Sequence, residues 1–220
     1  MFKTQKLVIS LLVVILSCVF TMGTSYSQVT DKDGNEYKTV TIGSKEWMAE
    51  NLKVEHYRNG DPIPQVQDEK EWKKLTTGAW CYYENKTENG VTYGKLYNWY
   101  AVNDLRGLAP EGWHVPSDAE WKELEEYLGG KDVAGGKMKS TTLWLSPNKE
   151  ATNESGFTGL PGGYNEDSRF KLIEKYGCFW SSTEVTTIGA WCRLLKYNIP
   201  DIQRDNNHKR NGLSVRCVKD

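Results

Sequence analysis

Three observations predict an α+β domain of short strands, two helices and long loops. A capping box at Ser117 opens one amphipathic helical stretch. Short alternating runs bounded by Gly, Asn and Asp recur along the rest of the chain. The 9 Trp, 12 Tyr and 20 Gly, with few aliphatic runs beyond residue 20, suit a loop-rich fold with an aromatic core.

The first element is an export signal. Lys3 and Lys6 precede an apolar run from Leu7 to Phe20, broken only by Ser10, Ser17 and Cys18. Small residues follow at Ser25 and Ser27, which predicts a signal peptide over 1–27 cleaved before Gln28. The run is about 14 residues, short of the roughly 20 that span a bilayer. The expected location is therefore the periplasm, the cell surface or the medium. Ile15-Leu16-Ser17-Cys18 loosely matches a lipid-attachment box. Leu16 is bulky before Ser17, and Val19-Phe20 carry the apolar run past the cut, so a lipid on Cys18 is not expected. Residues 28–220 then form one domain of about 190 residues, enough to bury about 70% of the unfolded surface. No second apolar stretch predicts a membrane span there.

The remaining elements follow in order. Thr30 to Ile42 reads as a hairpin with Asp33-Gly34 at its turn. Pro62 and Pro64 exclude a central strand between Asn51 and Gln67. Asp68 caps a short helix that ends before Gly78, and Ala79 to Tyr83 reads as a strand. Asp118 to Leu128 is the clearest helix, with Trp121, Leu124 and Leu128 on one face and Gly129-Gly130 as its stop. Gly130 to Lys137 fails the phosphate-loop pattern, because Gly136 stands where the lysine belongs, and reads as a solvated loop. Strands are expected at Cys178 to Thr183, Trp191 to Tyr197 and Leu213 to Val218.

Composition and motifs exclude several chemistries. The 28 Lys and Arg balance 29 Asp and Glu with no basic stripe, so no nucleic-acid partner is expected. Asp31 to Asn35 fails the calcium-loop pattern, since its glycine comes too early, at the fourth place instead of the sixth, and Ile42 occupies the twelfth place. The three histidines, His56, His114 and His208, lack metal-ligand spacing with one another or with a cysteine. His114 reads as a hydrogen-bonded structural residue before the capped helix. No catalytic residue, metal site or cofactor is identified, and the chain is not read as an enzyme. Cys81, Cys178, Cys192 and Cys217 would form two disulfides in an oxidising compartment, with three connectivities open.

Several segments together resemble the Fibrobacter succinogenes major paralogous domain family. They are Trp47-Met48-Ala49-Glu50-Asn51-Leu52, Tyr93-Gly94-Lys95-Leu96-Tyr97-Asn98-Trp99 and Gly112-Trp113-His114-Val115-Pro116-Ser117-Asp118. Leu160-Pro161-Gly162-Gly163-Tyr164, Phe179-Trp180-Ser181-Ser182-Thr183-Glu184 and Gly212 to Val218 complete the set. Val115 to Trp121 and Gly212 to Val218 also resemble the wider C-type-lectin-like fold and the formylglycine-generating enzymes.

The resemblance implies a C-type-lectin-like architecture. Short, twisted antiparallel strands would carry two helices and long loops, with the first and last strands paired. Neither relative's site is matched. The calcium tripeptides of sugar-binding lectins are missing, and Trp180-Ser181-Ser182 stands in place of Trp-Asn-Asp. Cys192 stands alone where copper-binding enzymes have two cysteines.

The expected function is an exported, non-catalytic binding or structural module for an unknown glycan or envelope protein; the alternative is an envelope-acting enzyme. Its ligand surface is expected on 161–176 and 197–211, with Tyr164, Arg169, Tyr197 and Arg204 as contacts. The resembled fold places the last strand centrally, which implies a Cys81–Cys217 bridge. Cys178–Cys192 would join successive strands around 184–189. A symmetric hairpin would set Cys178 opposite Leu195, so this bridge needs a bulge.

Overall fold

The structure, a computed structural model, describes residues 27–220, so the export segment lies outside the described residues except for Ser27. β1 (Gln28–Thr30) and β2 (Glu36–Ile42) pair across the Asp33-Gly34 turn, and β3 (Lys45–Met48) returns along β2. Asp31 locks this turn. Its Oδ1 accepts from the amides of Asp33 (2.9 Å) and Asn35 (3.0 Å). Its Oδ2 accepts from Asn35 Nδ2 (2.8 Å) and the Tyr37 hydroxyl (2.5 Å). Both carboxylate oxygens are engaged by the turn itself, which accounts for a hairpin where a calcium loop fails.

α1 (Glu69–Trp72) starts where Asp68 accepts from the amides of Lys70 and Glu71. β4 (Trp80–Cys81) pairs with β5 (Leu96–Tyr97), and α2 (Thr87–Tyr93) lies between them in sequence. α3 (Trp99–Val102) is capped by Asn98, and β6 (Trp113–His114) leads to α4 (Asp118–Tyr127). The Ser117–Glu120 capping box forms in both directions, and Trp121 and Leu124 are buried as their spacing predicts.

α5 (Lys131–Met138) replaces the solvated loop expected at 130–137. Its glycines are packing residues. A Cβ on Gly135 would lie 2.2 Å from the Asp201 carbonyl oxygen, and one on Gly136 would lie 2.5 Å from that of Glu150. Only glycine lets this helix press onto those backbones. The described residues thus contain five α-helices rather than two.

β7 (Tyr164–Glu166) and β8 (Arg169–Lys171) form a hairpin. β9 (Tyr176–Thr186), β10 (Gly189–Lys196) and β11 (Ile202–His208) form a three-stranded antiparallel sheet. The expected loop at 197–211 therefore contains a strand over Ile202–His208. β12 (Val218–Lys219) inserts between β3 and β6, giving the order β1-β2-β3-β12-β6. The first strand stays at the edge, so the expected pairing of first with last is corrected. Met48 N donates to Cys217 O (3.0 Å) and Leu52 N to Val215 O (2.9 Å), which steers the closing segment to β3.

The core is aromatic as composition suggests. Trp47, Trp121, Phe157 and Phe179 pack with ring centroids 5.2–6.2 Å apart. Arg216, fully buried, donates to Asn51 Oδ1 (2.6 Å) and to the carbonyls of Met48 (3.0 Å), Phe157 (2.5 Å) and Thr158 (2.8 Å). It ties the closing segment to two distant stretches, the end of β3 with Asn51 and the loop at 157–158. Buried Lys139 similarly gathers the carbonyls of Lys149, Lys196 and Ile199.

The two expected disulfides do not form. Cys81, Cys178, Cys192 and Cys217 are all free and buried. Bulges in β9 leave Cys178 opposite Leu194 and Cys192 opposite Trp180, two residues out of register for a bridge. Cys81 packs with Trp72 and Tyr83, whereas Cys217 packs in a different cluster with Tyr37 and Val215.

Candidate functional site

Charge inside the β9–β11 sheet marks the candidate site. Arg193 on β10 lies directly opposite Arg204 on β11. Like charges in that position repel. Asp118, at the first turn of α4, resolves the conflict by accepting from both. Arg193 Nη1 donates to Asp118 Oδ1 (2.8 Å). Arg204 Nε and Nη2 reach Oδ1 and Oδ2 at 2.8–3.1 Å. Burial alone would raise the Asp118 carboxyl, but the hydrogen bonds and charges of Arg204 and Arg193 outweigh it and hold it low.

These residues line a cleft of about 510 Å³ together with Lys122, Glu125, Lys131 and Ile202. Four cationic side chains face two carboxylates there. The Arg193 side chain is 1% exposed, and its Nε has no hydrogen-bond partner among the described residues. Arg204 is about half exposed and stacks 3.2 Å from the centre of the Trp191 ring. The arrangement can bind an anionic group through charge-assisted hydrogen bonds, beside a half-buried indole.

Of the four contacts expected from sequence, this cleft contains Arg204 alone. Tyr164 is half-buried on β7 and packs on the first core cluster. Burial first, then the nearby Cys178 and Glu166, pushes its hydroxyl up to about 12. Arg169 is exposed on β8, opposite Glu166. Tyr197 packs on another cluster, which includes Trp121 and Ile202. No hydrogen bond, ion pair or ring contact among the described residues joins any two of the four.

Sequence reasoning missed Arg193 and Asp118. A usable signal for the first was an arginine inside Trp191-Cys192-Arg193-Leu194-Leu195, since a charge in an apolar strand requires a partner. Asp118 offered none beyond its place at a helix start.

Two other clusters carry polar groups. Asp33 Oδ1 lies 2.5 Å from His56 Nδ1, and Asp33 Oδ2 accepts from the Glu55 and His56 amides. His56 edges a recess of about 260 Å³ beside Lys32 and Arg58. His114 sits between Asp220 (2.6 Å) and Glu120 (2.9 Å), joining the last residue to the α4 cap, which is a structural role. Among the described residues no group of three or more His, Cys, Asp or Glu side chains is placed to hold a metal ion. No described helix is long and apolar enough to cross a membrane.

Residues 40–219 match the family model described as the Fibrobacter succinogenes major domain. Comparison with curated proteins found no match, and comparison with solved structures found none.

Proposed function

We propose, for a chain that belongs to the Fibrobacter succinogenes major domain family, an exported, non-catalytic binding module of the periplasm or cell surface. Its arginine cleft holds an anionic group of a glycan, on a scaffold read as C-type-lectin-like. The lysine-flanked apolar segment before Gln28 supports export. One observation carries the binding reading. Arg193 is held almost wholly buried at a cleft with a cationic excess, although a neutral residue would fill that strand position at less cost.

The test is a glycan array probed with the chain beginning at Gln28, followed by titration of any acidic glycan that scores. Arg204→Ala combined with Lys122→Ala should weaken binding about 10-fold or more, with a steep salt dependence. Preference for neutral glycans, or an unchanged affinity in the double variant, would refute it. Binding to an envelope protein instead of any glycan would assign the cleft to a protein carboxylate.

A second reading, an envelope-acting enzyme, draws on the Asp33–His56 pair. The aspartate orients Nδ1, as it does in hydrolases that use histidine as a base. Turnover of an ester or glycoside lost in His56→Gln would favour it.

A further inference from the structure

We propose that the anionic group taken by the arginine cleft is the phosphate monoester of a sugar, bound as a dianion. The inference rests on the anion-binding reading of that cleft and adds the chemical class of its ligand.

The charges lining the cleft are the first ground. Asp118 balances only one of the two arginines it accepts from, so the Arg193–Asp118–Arg204 group keeps one positive charge. That surplus is poorly hydrated, because the Arg193 side chain is 1% exposed and the Asp118 side chain 20%. Lys122 and Lys131 meet one further carboxylate, Glu125, which leaves a second positive charge. Lys122 Nζ also lies 3.6 Å from Glu126, but both side chains are mostly exposed and such a pair contributes little. Four cations against two carboxylates thus leave two charges unbalanced. A carboxylate or a sulfate ester brings one negative charge and leaves the other uncompensated. A phosphate monoester carries about −1.5 to −2 at pH 7.

The donors within reach of a ligand are the second ground. Arg193 is spent on Asp118 and on the Cys192 carbonyl, so it supplies charge and no contact. Arg204 gives Nε and Nη2 to Asp118, which fixes its guanidinium and leaves Nη1 without a partner among the described residues. Its side chain is 45% exposed. Lys122 is exposed on α4, and Lys131 is exposed at the first position of α5. Accessible donors from β11, α4 and α5 therefore border one cleft. A phosphoryl group presents three strong acceptor oxygens to such a set, whereas a carboxylate presents two.

Glucose 6-phosphate, glucose 6-sulfate and glucuronate are titrated separately into the chain beginning at Gln28, by calorimetry at about pH 7.5. The phosphate should bind about ten-fold more tightly than either monoanion. Lowering the pH to about 5.5, below the phosphate's second pKa of about 6, should erase most of that margin. No histidine lines the cleft, so the change reports the ligand's own titration. Lys131→Ala should weaken phosphate binding about five-fold, and Lys86→Ala, outside the cleft, should leave it unaltered. Glu125→Gln should tighten it, a gain that a misfolded variant cannot mimic. Equal or tighter binding of glucuronate or the sulfate ester would overturn the dianion inference and leave the anion-binding reading standing. Binding of none of the three would sink both. A phosphate preference untouched by Lys131→Ala and Glu125→Gln would put the site elsewhere and overturn the inference as well.

Discussion

Raising the pH should unfold this protein through its four buried thiols. Burial pushes Cys81 and Cys192 up from the ordinary 9.0 to about 12, and raises Cys178 and Cys217 as well. In the unfolded chain each ionises near 9, so the unfolded state releases protons that the folded state retains. The stability these groups contribute is complete below pH 9 and is lost as pH climbs towards 12. Each thiol removes about 1.4 kcal/mol per pH unit in that window, so four remove roughly 5–6. Two buried bases oppose them. Burial lowers Lys139 to about 8 and Arg216 to about 9, so the cost of burying their charge is relieved as pH rises. Together they restore about 3 kcal/mol per pH unit, leaving a net loss of roughly 3 near pH 10. A domain stable by about 5–15 kcal/mol should therefore unfold within a few pH units above 9. The assay is urea unfolding of the chain beginning at Gln28 from pH 8 to 11, paired with iodoacetamide labelling. Native protein at pH 8 should leave all four thiols unlabelled, and urea without reductant should expose all four. Fewer thiols in urea would mean that bridges exist, and stability unchanged up to pH 10.5 would show the burial argument to be wrong.

Three further outcomes follow from the packing. Gly135→Ala should destabilise by about 3 kcal/mol, because its Cβ would meet the Asp201 carbonyl at 2.2 Å; unchanged thermal melting would contradict the close approach. Arg216→Met should cost about 3–5 kcal/mol, since the carbonyls of Met48, Phe157 and Thr158 lose their donor; urea midpoints measure it, and a cost below about 1 would show those carbonyls to be otherwise satisfied. Burial would raise Glu120, but the Ser117 amide, His114 and Lys45 outweigh it and bring it to about 2, so its stabilisation holds above 4.5 and fades as pH falls towards 2. Glu120→Gln should therefore flatten the acid limb of stability by on the order of 2 kcal/mol, allowing for partial exposure, and an unaltered limb would exclude this linkage.

Local chemistry determined the elements that need only near neighbours. The α4 cap is four residues of sequence, and the β1–β2 turn is made by Asp31 acting on residues within six positions. Such contacts form wherever the chain goes, so their patterns were legible without a fold. α5 was not, because its glycines signal a loop until the Asp201 and Glu150 backbones are brought against them. β11 was not, because Ile202-Gln203-Arg204-Asp205-Asn206-Asn207-His208 has no alternation and is extended by pairing along β10. The cysteine pairing depended on bulges in β9 that shift its register against β10 by three residues, which sequence spacing cannot reveal. The candidate site is the most strongly tertiary feature of all. Asp118 meets Arg193 and Arg204 across 75 and 86 residues of chain, and nothing local links them. Helix start, strand pairing and a buried like-charge opposition had to coincide before one carboxylate could hold two arginines, and only the folded chain brings those three together.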